Sequence, residues 1–389
     1  MSQLLESRWS ETKDALLEGL QGNKRSVMAT TLENTRKYLA ESATAGATSA
    51  GNVATLNRVI LPVIRRVMPT VIANELVGVQ PMTGPVGQIH TLRVRYSDTF
   101  SASAGGSTTP GEEALSPFKI AEGYSGATTG KPASTAALEG VAGNKLSIQI
   151  LKQTVEAKTR KLSARWTFEA AQDAQAQQGI DIEAEIMAAL AQEITAEIDQ
   201  EVLRSLATLS STVLTYDQAA VSGTATFVGD EHAALAVQIN RAANLIAQRT
   251  RRGAGNWAVV SPTTLTLLQS ATTSAFARTT EGTFEAPTNT KFVGTLNSAM
   301  KVYVNTYAEN DNVLVGYKGS SESDAAAFYC PYIPLMSSGV VLDPATFEPV
   351  VSFMTRYGYV ELTNTASSLG NAADYLATVA VTSANLRFA

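Results

Sequence analysis

The sequence predicts an α+β protein whose domains are discontinuous along the chain. Three observations lead to this fold class. A long helical pattern occupies residues 181–206, two strand-like runs enclose a long segment rich in Gly, Ser, Thr and Ala, and short strand-like runs follow towards the C-terminus. Predicted helices and strands are thus grouped in separate blocks. This grouping favours the α+β class over the α/β class, in which strands and helices alternate regularly.

The composition indicates that the chain can form a substantial hydrophobic core. Of its 389 residues, 44% are hydrophobic and 17% charged, which excludes a disordered protein, and the length predicts about two to three domains. The net charge of -5 argues against a basic nucleic-acid-binding surface. We expect neither a membrane span nor a secretory signal, because no apolar run is long enough. The single cysteine, Cys330, excludes an intrachain disulfide and fits a reducing cytoplasm.

Residues 1–41 carry the pattern of two amphipathic helices with a break at residues 22–23. The two apolar stripes are Leu5, Trp9, Leu16 and Leu20, and then Met28, Leu32, Thr35 and Leu39. Residues 42–52 are small and flexible in character, which predicts a linker.

A long segment, residues 101–144, lies between two predicted strands. Residues 88–96 alternate apolar and polar residues as a half-buried strand does, and residues 146–155 form a second strand-like run. The segment between them is too long for an ordinary connection. We therefore predict an extended hairpin with a projecting loop, whose low apolar content leaves it without a core of its own.

The clearest single element is a helix from Asp181, its predicted N-cap, to about Leu206. Apolar residues recur in it every four positions: Ile182, Ile186, Leu190, Ile194, Ile198, Val202 and Leu206. We call it the spine helix and expect burial along Ile186, Leu190 and Ile194. Further patterns predict a helix at 231–248, a strand at 257–260, a strand pair at 302–307 and 313–317, a turn at 331–334, and strands at 340–342 and 350–362.

The ionisable residues give no pattern of a catalytic or metal site. His90 and His232 are isolated, and Cys330 has no identifiable histidine partner. Residues 126–131 resemble a phosphate-binding loop only faintly, because the flanking residues are wrong. Carboxylates crowd the spine helix, and a solvated or intersubunit face is favoured over a metal cluster: Glu183, Glu185, Glu193, Glu197, Asp199 and Glu201. We expect no enzyme, no cofactor and no metal.

Four groups of residues resemble the major capsid proteins of T-even-type tailed phages. They are RRVMP and LVGVQPM with GPVGQ (65–88), KQTVEAKTRKL with EAAQD (152–173), RGAGNW (252–257), and VLVGYKG, YCPY and TRYG (313–358). They stand in the family's order and cover most of residues 60–362.

The resemblance implies a Hong Kong 97-type capsid fold. Its parts would be an N-terminal arm (1–55), a peripheral domain with the spine helix (56–82, 145–210 and 335–389), an extended loop (83–144) and an axial domain (211–334). The T-even relatives carry a large insertion in the extended loop. Because only about fifty residues separate Tyr96 from Leu146, we expect no separately folded insertion domain in this chain.

The resemblance also implies the function of a shell subunit. Copies would assemble into hexamers and pentamers in the bacterial host cytoplasm and form the virion head, which encloses double-stranded DNA without reading its sequence. Portal, scaffold, prohead protease and decoration proteins would be partners. The alternative with the same fold is an encapsulin, a nanocompartment that is expected to lack the helical prefix. A soluble enzyme is the more distant alternative.

The prefix resembles the scaffolding-like segment that such capsid proteins lose during maturation. T-even-type prohead proteases are expected to cut after an apolar-x-Glu sequence, which ends here at Glu6, Glu18, Glu41 and Glu122. The site from Leu39 to Glu41 directly precedes the predicted linker, so we expect cleavage between Glu41 and Ser42. An ordinary helical cap is the other interpretation of residues 1–41.

Overall fold

The structure is a computed structural model. It describes residues 9, 13–14, 16–18, 20–45, 71–101, 103, 106–114, 121–178, 181–210, 213–217, 228–250, 252–270, 276–278, 291–297, 299–346, 348–363 and 371–382. The helices are α1 (Gly22–Ala45), α2 (Ala73–Leu76), α3 (Thr135–Leu138), α4 (Phe168–Gln178), α5 (Ile182–Leu209), α6 (Val228–Thr250) and α7 (Pro262–Ser270). The strands are β1 (Gly78–Val79), β2 (Val86–Tyr96), β3 (Leu146–Glu156), β4 (Lys158–Arg165), β5 (Val213–Tyr216), β6 (Trp257–Val260), β7 (Phe276–Arg278), β8 (Lys291–Leu296), β9 (Met300–Val304), β10 (Val313–Gly316), β11 (Ala327–Ser337), β12 (Val341–Leu342), β13 (Pro349–Glu361) and β14 (Leu376–Val381). The α+β class is confirmed.

The first of two compact units comprises Met1–Gly87, Val155–Arg204 and Phe328–Val360. Its sheet has the order β1-β11-β13-β12, and β4 also pairs with β13. Strand β4 runs antiparallel to β13 along its whole length, and β1 runs parallel to β11. The sheet thus joins segments that are far apart in the sequence.

The turn predicted at residues 331–334 is wrong, because β11 passes straight through both prolines. The backbone carbonyls of Tyr329 and Pro331 accept hydrogen bonds from the N–H groups of Gln80 (3.1 Å) and Met82 (3.0 Å). Proline lacks the backbone N–H but keeps its carbonyl, which can still accept a hydrogen bond from the neighbouring segment.

The spine helix is α5, and its predicted start is confirmed. Asp181 Oδ1 accepts a hydrogen bond from the Glu183 N–H at 3.1 Å, as an N-cap does. The predicted stripe is buried from Leu190 to Leu206, whereas Ile182 and Ile186 are half-buried. Burial therefore begins one turn later than expected.

The second compact unit comprises Gln88–Thr154, Ser205–Ala327 and Glu361–Ala389. Seven strands form a sheet in the order β5-β14-β10-β6-β9-β8-β7. Helix α6, close to its predicted bounds, contributes to the core beside this sheet: Leu235, Ile239, Ala242, Ala243 and Ile246. The predicted pairing of β9 with β10 is wrong, because β6, with all four residues buried, lies between them.

The two units divide the chain differently from the predicted domains. Strand β14 lies in residues 335–389, expected to be peripheral, yet it pairs with β10 and β5 of the second unit. Residues 328–334 of β11 were expected to be axial, yet they belong to the first unit, where Phe328 and Tyr329 pair with β1. Sheet neighbours far apart in sequence leave no local pattern, which explains the difference.

Candidate assembly surface

The predicted hairpin is present, and one copy of the chain leaves its apolar side chains uncovered. Strands β2 and β3 form a two-stranded sheet of their own. Leu146, Ile148 and Ile150 share one face of β3 and are 53%, 68% and 65% exposed, and Leu92 of β2 is 64% exposed. The strand predicted at residues 146–155 is confirmed, and in a single copy residues 146–150 are exposed on both of its faces.

The segment between β2 and β3 has a small core, contrary to expectation. The core consists of Tyr96, Ala114 and Ala121, with Val94 and Tyr124 packed against it. The Tyr124 ring meets the Tyr96 ring edge-on at 4.7 Å between centroids, and its hydroxyl donates to the Lys145 carbonyl at 2.7 Å. Aromatic contacts therefore compensate for the low apolar content of the loop.

A buried ion pair ties the loop back to the hairpin. Arg93 Nη1 of β2 donates to Glu113 Oε2 at 2.7 Å, and the two side chains are 4% and 22% exposed. A charge buried this deeply needs such a partner. Glu113, twenty residues further along the chain, thus makes burial of the Arg93 side chain possible. The alternation of apolar residues in β2 did not predict this burial.

Two of the spine-helix carboxylates hold the helix on the sheet of the first unit. Arg160 of β4 donates to Glu197 (Nη1, 2.7 Å), to Glu201 (Nη2, 2.5 Å) and to the Tyr357 hydroxyl (Nε, 2.6 Å). The Tyr357 hydroxyl in turn donates to Glu201. Burial acts to raise the pKa of Glu201, but the hydrogen bonds from Arg160 and Tyr357 outweigh it and lower that pKa. Glu197 and Glu201 are thus bound within the subunit.

A third spine-helix carboxyl, Asp199, is buried. It lies on a second buried stripe, which runs beside the predicted one: Met187, Ala191, Thr195, Asp199 and Leu203. Its Oδ1 accepts a hydrogen bond from the Ile72 N–H at 2.8 Å, and Oδ2 has no hydrogen-bond partner among the described residues. Burial raises the pKa of Asp199 to about 7. The sequence carries a signal for this second stripe. Residues four apart are slightly more than one helical turn apart, so the predicted stripe shifts around the helix and neighbouring positions are also buried.

The isolated histidines and the cysteine form no reactive group. His90 is exposed on β2, and His232 is buried, with its Nδ1 at 2.5 Å from Ser270 Oγ. Burial raises the pKa of the Cys330 thiol to about 11, so the reactive thiolate is scarce at neutral pH. Within the described part of the chain, no three His, Cys, Asp or Glu side chains gather as metal ligands. Among the described helices, none has both the length and the apolar character needed to cross a membrane.

The arm helix α1 packs on the first unit through one face. Its buried side chains follow helical spacing: Val27, Met28, Thr31, Leu32 and Thr35. The Asn34 amide donates to the carbonyls of Met82 (2.5 Å) and Tyr332 (3.1 Å), and Lys24 pairs with Glu75 at 2.7 Å. The second stripe predicted for the prefix is therefore buried at its described positions.

The predicted cleavage site lies inside helix α1. Glu41 and Ser42 are helical, and the helix continues to Ala45, so residues 42–45 do not form the expected linker. Two alanines among these four residues favour helix. Residues 46–52, and the side chains of Leu39, Glu41 and Ser42, lie outside the described residues.

Comparison with known proteins identifies the family. The family model described as Major capsid protein Gp23 matches residues 53–381. The chain belongs to this family. It is therefore a structural protein of the phage virion and not an enzyme, and the encapsulin alternative is not favoured. The Hong Kong 97-type expectation is in keeping with the arm, hairpin, spine helix and two units described above.

Curated relatives agree with this family. The chain is 30% identical to the major capsid protein of Vibrio phage KVP40 over 421 aligned positions, which cover 85% of this chain and 82% of the relative. It is 30% identical to that of Enterobacteria phage T4 over 410 positions, covering 82% and 78%. The aligned positions outnumber the 389 residues of the chain, so these relatives carry residues that this chain lacks.

Solved structures of phage proteins are similar to this chain at low identity. The match to the Mycobacterium phage Bobi structure has a TM-score of 0.47 and 13% identity, and it covers 80% of this chain and 90% of the other. The capsid of Myoviridae phage XM1 matches with a TM-score of 0.44 and 9% identity, covering 80% and 92%.

Proposed function

We propose that copies of this chain build the phage head by burying the β2–β3 hairpin against a neighbouring copy. The observation that carries the proposal is the exposed apolar face of Leu146, Ile148 and Ile150. A two-stranded sheet is marginal in water by itself, and contiguous exposed apolar side chains mark an interaction surface. Full burial of each such side chain contributes about 1.5–3 kcal/mol. The hairpin thus stabilises the assembly more than its own subunit.

The full assembly is proposed as a closed shell of hexamers and pentamers that encloses double-stranded DNA. The second compact unit supplies the axial contacts around each ring, and the first supplies the peripheral ones. A net charge of -5 suits a container, because a strongly cationic lining would bind the packed genome tightly. Portal, scaffold, prohead protease and decoration proteins are proposed partners during assembly in the bacterial cytoplasm.

Ile148→Asp is expected to abolish shell formation while the subunit stays folded. The new carboxylate would lie on the face that the neighbour covers, where an unpaired charge is costly. Gln149→Asp is the matched control, since residue 149 is exposed on the opposite face of the same strand. Electron microscopy and sedimentation measure shell formation, and circular dichroism measures folding.

Two results would contradict this assignment of the hairpin. Normal shells from Ile148→Asp would show that the apolar face stays uncovered in the assembly. Equal loss of assembly in Ile148→Asp and Gln149→Asp, with both variants folded, would show that added charge matters and the apolar face does not.

Cleavage between Glu41 and Ser42 is proposed as the maturation step of the prefix. Helix α1 must unwind locally first, because proteases bind an extended chain. The subunit in infectious particles is then expected to lack residues 1–41, and Glu41→Gln should block the loss. Intact-mass spectrometry of purified particles measures this directly. A subunit of the full 41.1 kDa in infectious particles would rule out the cleavage and leave the arm as a permanent part of the first unit.

A further inference from the structure

Helix α4 lies outside the packed part of the first unit. Of its described side chains none is buried, and only that of Ala171 is half-buried. The helix has 11 residues, and isolated helices shorter than about 12–15 residues are marginal in water. The Thr167 hydroxyl accepts a hydrogen bond from the Ala170 N–H at 3.3 Å and caps the first turn. A cap alone does not secure so short a helix, which points to a contact outside the subunit.

The charges of helix α4 point to a cationic partner. Glu169 and Asp173 are one turn apart and share a face, and the helix has no Lys or Arg to pair with them. Neither carboxylate forms an ion pair within the part of the chain that the structure describes. Like charges at this spacing destabilise a helix slightly, and a cationic surface would offset their repulsion.

The sheet of the first unit has a matching pair of cations on the face turned away from the spine helix. Arg160 of β4 reaches the spine helix, so Lys161, the next residue, lies on the opposite face. Lys161 pairs in register with Met354, and Arg356, two residues further, shares that face. The Arg356 guanidinium lies 5.3 Å from the Tyr332 ring centroid. Among the described residues, neither Lys161 nor Arg356 forms an ion pair.

The spacing of the two charge pairs agrees. Diagonal neighbours on antiparallel strands, such as Lys161 and Arg356, lie about 7–8 Å apart. Residues four apart on a helix, such as Glu169 and Asp173, lie about 6 Å apart. These two anions and two cations, which form no ion pair among the described residues, are thus complementary in sign and in spacing on two surfaces of one chain.

We propose that helix α4 of one copy lies across the outer face of β4 and β13 of the next copy, with Glu169 and Asp173 opposite Lys161 and Arg356. The contact is heterologous, because it joins two different patches, and repeated around an axis it closes into a ring. It rests on the proposed assembly of copies and adds a second contact, independent of the β2–β3 hairpin.

A charge-swap experiment on the full chain tests this contact. E169K/D173K and K161E/R356E are each expected to raise the protein concentration needed for assembly by about tenfold or more at low salt, since like charges would then face each other. The fourfold variant, which combines all four substitutions, should assemble at a protein concentration within about twofold of that of the wild type. Its charges are exchanged between the two surfaces and attract each other again. E185K/E193K is the matched control, with the same change of charge at exposed spine-helix positions. Sedimentation and electron microscopy measure assembly, with the phage assembly proteins co-expressed where the chain alone stays dispersed.

The outcomes separate this contact from its alternatives. Recovery in the fourfold variant supports it. Wild-type assembly in both double variants overturns it, and so does a folded fourfold variant that stays dispersed. Shells of K161E/R356E that assemble normally and lose retained DNA would assign the cationic face to DNA and also overturn it. If K161E/R356E does not fold, Lys161→Glu alone replaces it in the experiment. This single variant keeps the contact between Arg356 and the Tyr332 ring. Loss of assembly in Ile148→Asp tests the hairpin separately.

Discussion

Ile194→Ala is expected to lower the free energy of unfolding of the dispersed subunit by about 2–5 kcal/mol. Ile194 is 1% exposed in the middle of the spine helix, so the deleted carbons leave a cavity that the packed neighbours cannot fill. Ile186→Ala is the matched comparison, because it makes the same substitution at a half-buried position of the same stripe. It should lower the free energy of unfolding clearly less. Urea unfolding followed by circular dichroism measures both changes.

The charged substitution at the same position should have a larger effect. Ile194→Asp is expected to prevent folding, because it buries a carboxylate with no partner. Glu193→Ala is the control, since Glu193 is the exposed neighbour of Ile194, and it should change stability by less than about 0.5 kcal/mol. A change below about 0.5 kcal/mol for Ile194→Ala would show that the stripe faces solvent in the subunit.

Asp199→Asn is expected to raise the free energy of unfolding by about 4 kcal/mol at pH 8 and to leave it nearly unchanged at pH 4. Burial raises the pKa of Asp199 to about 7, and the hydrogen bond from the Ile72 N–H opposes this without offsetting it. The asparagine carbonyl can accept the same hydrogen bond. The variant therefore keeps the contact with Ile72 and removes the cost of a buried negative charge.

The direction of the pH dependence follows from the raised pKa. The folded state holds the Asp199 proton more tightly than the unfolded state, so this contribution to stability is complete below about pH 4 and lost as the pH rises through about 7. Tyr329 adds no step in this window, because burial raises its pKa further. Glu201, whose pKa is lowered by Arg160 and Tyr357, loses part of its stabilising effect towards pH 4. That loss is the same in wild type and Asp199→Asn, so it cancels in the difference between them. Urea unfolding at pH 4, 6 and 8 measures the dependence, and Glu193→Gln is the exposed control. A constant difference between Asp199→Asn and wild type across this range would contradict the raised pKa.

The candidate assembly surface was predictable in position but not in detail. The strand-like run at residues 146–155 predicts β3, and the length of the segment before it predicts a projecting hairpin. Neither pattern tells which face of β3 is covered, because alternation records only that two faces differ. Exposure of Ile148 and Ile150, and burial of Arg93 beside Glu113, depend on which layers lie against the hairpin.

Elements whose signal lies within a few residues could be predicted from the amino-acid sequence. The stripe from Leu190 to Leu206, the cap at Asp181 and the bounds of α6 are local patterns, since hydrogen bonds and side-chain neighbours in a helix connect residues three or four apart. The burial of Asp199 on the spine helix, the position of β6 between β9 and β10, and the passage of β11 through its prolines became clear only from the fold. These outcomes depend on sheet pairing and burial between residues far apart in the chain, and no spacing within a short segment encodes that choice.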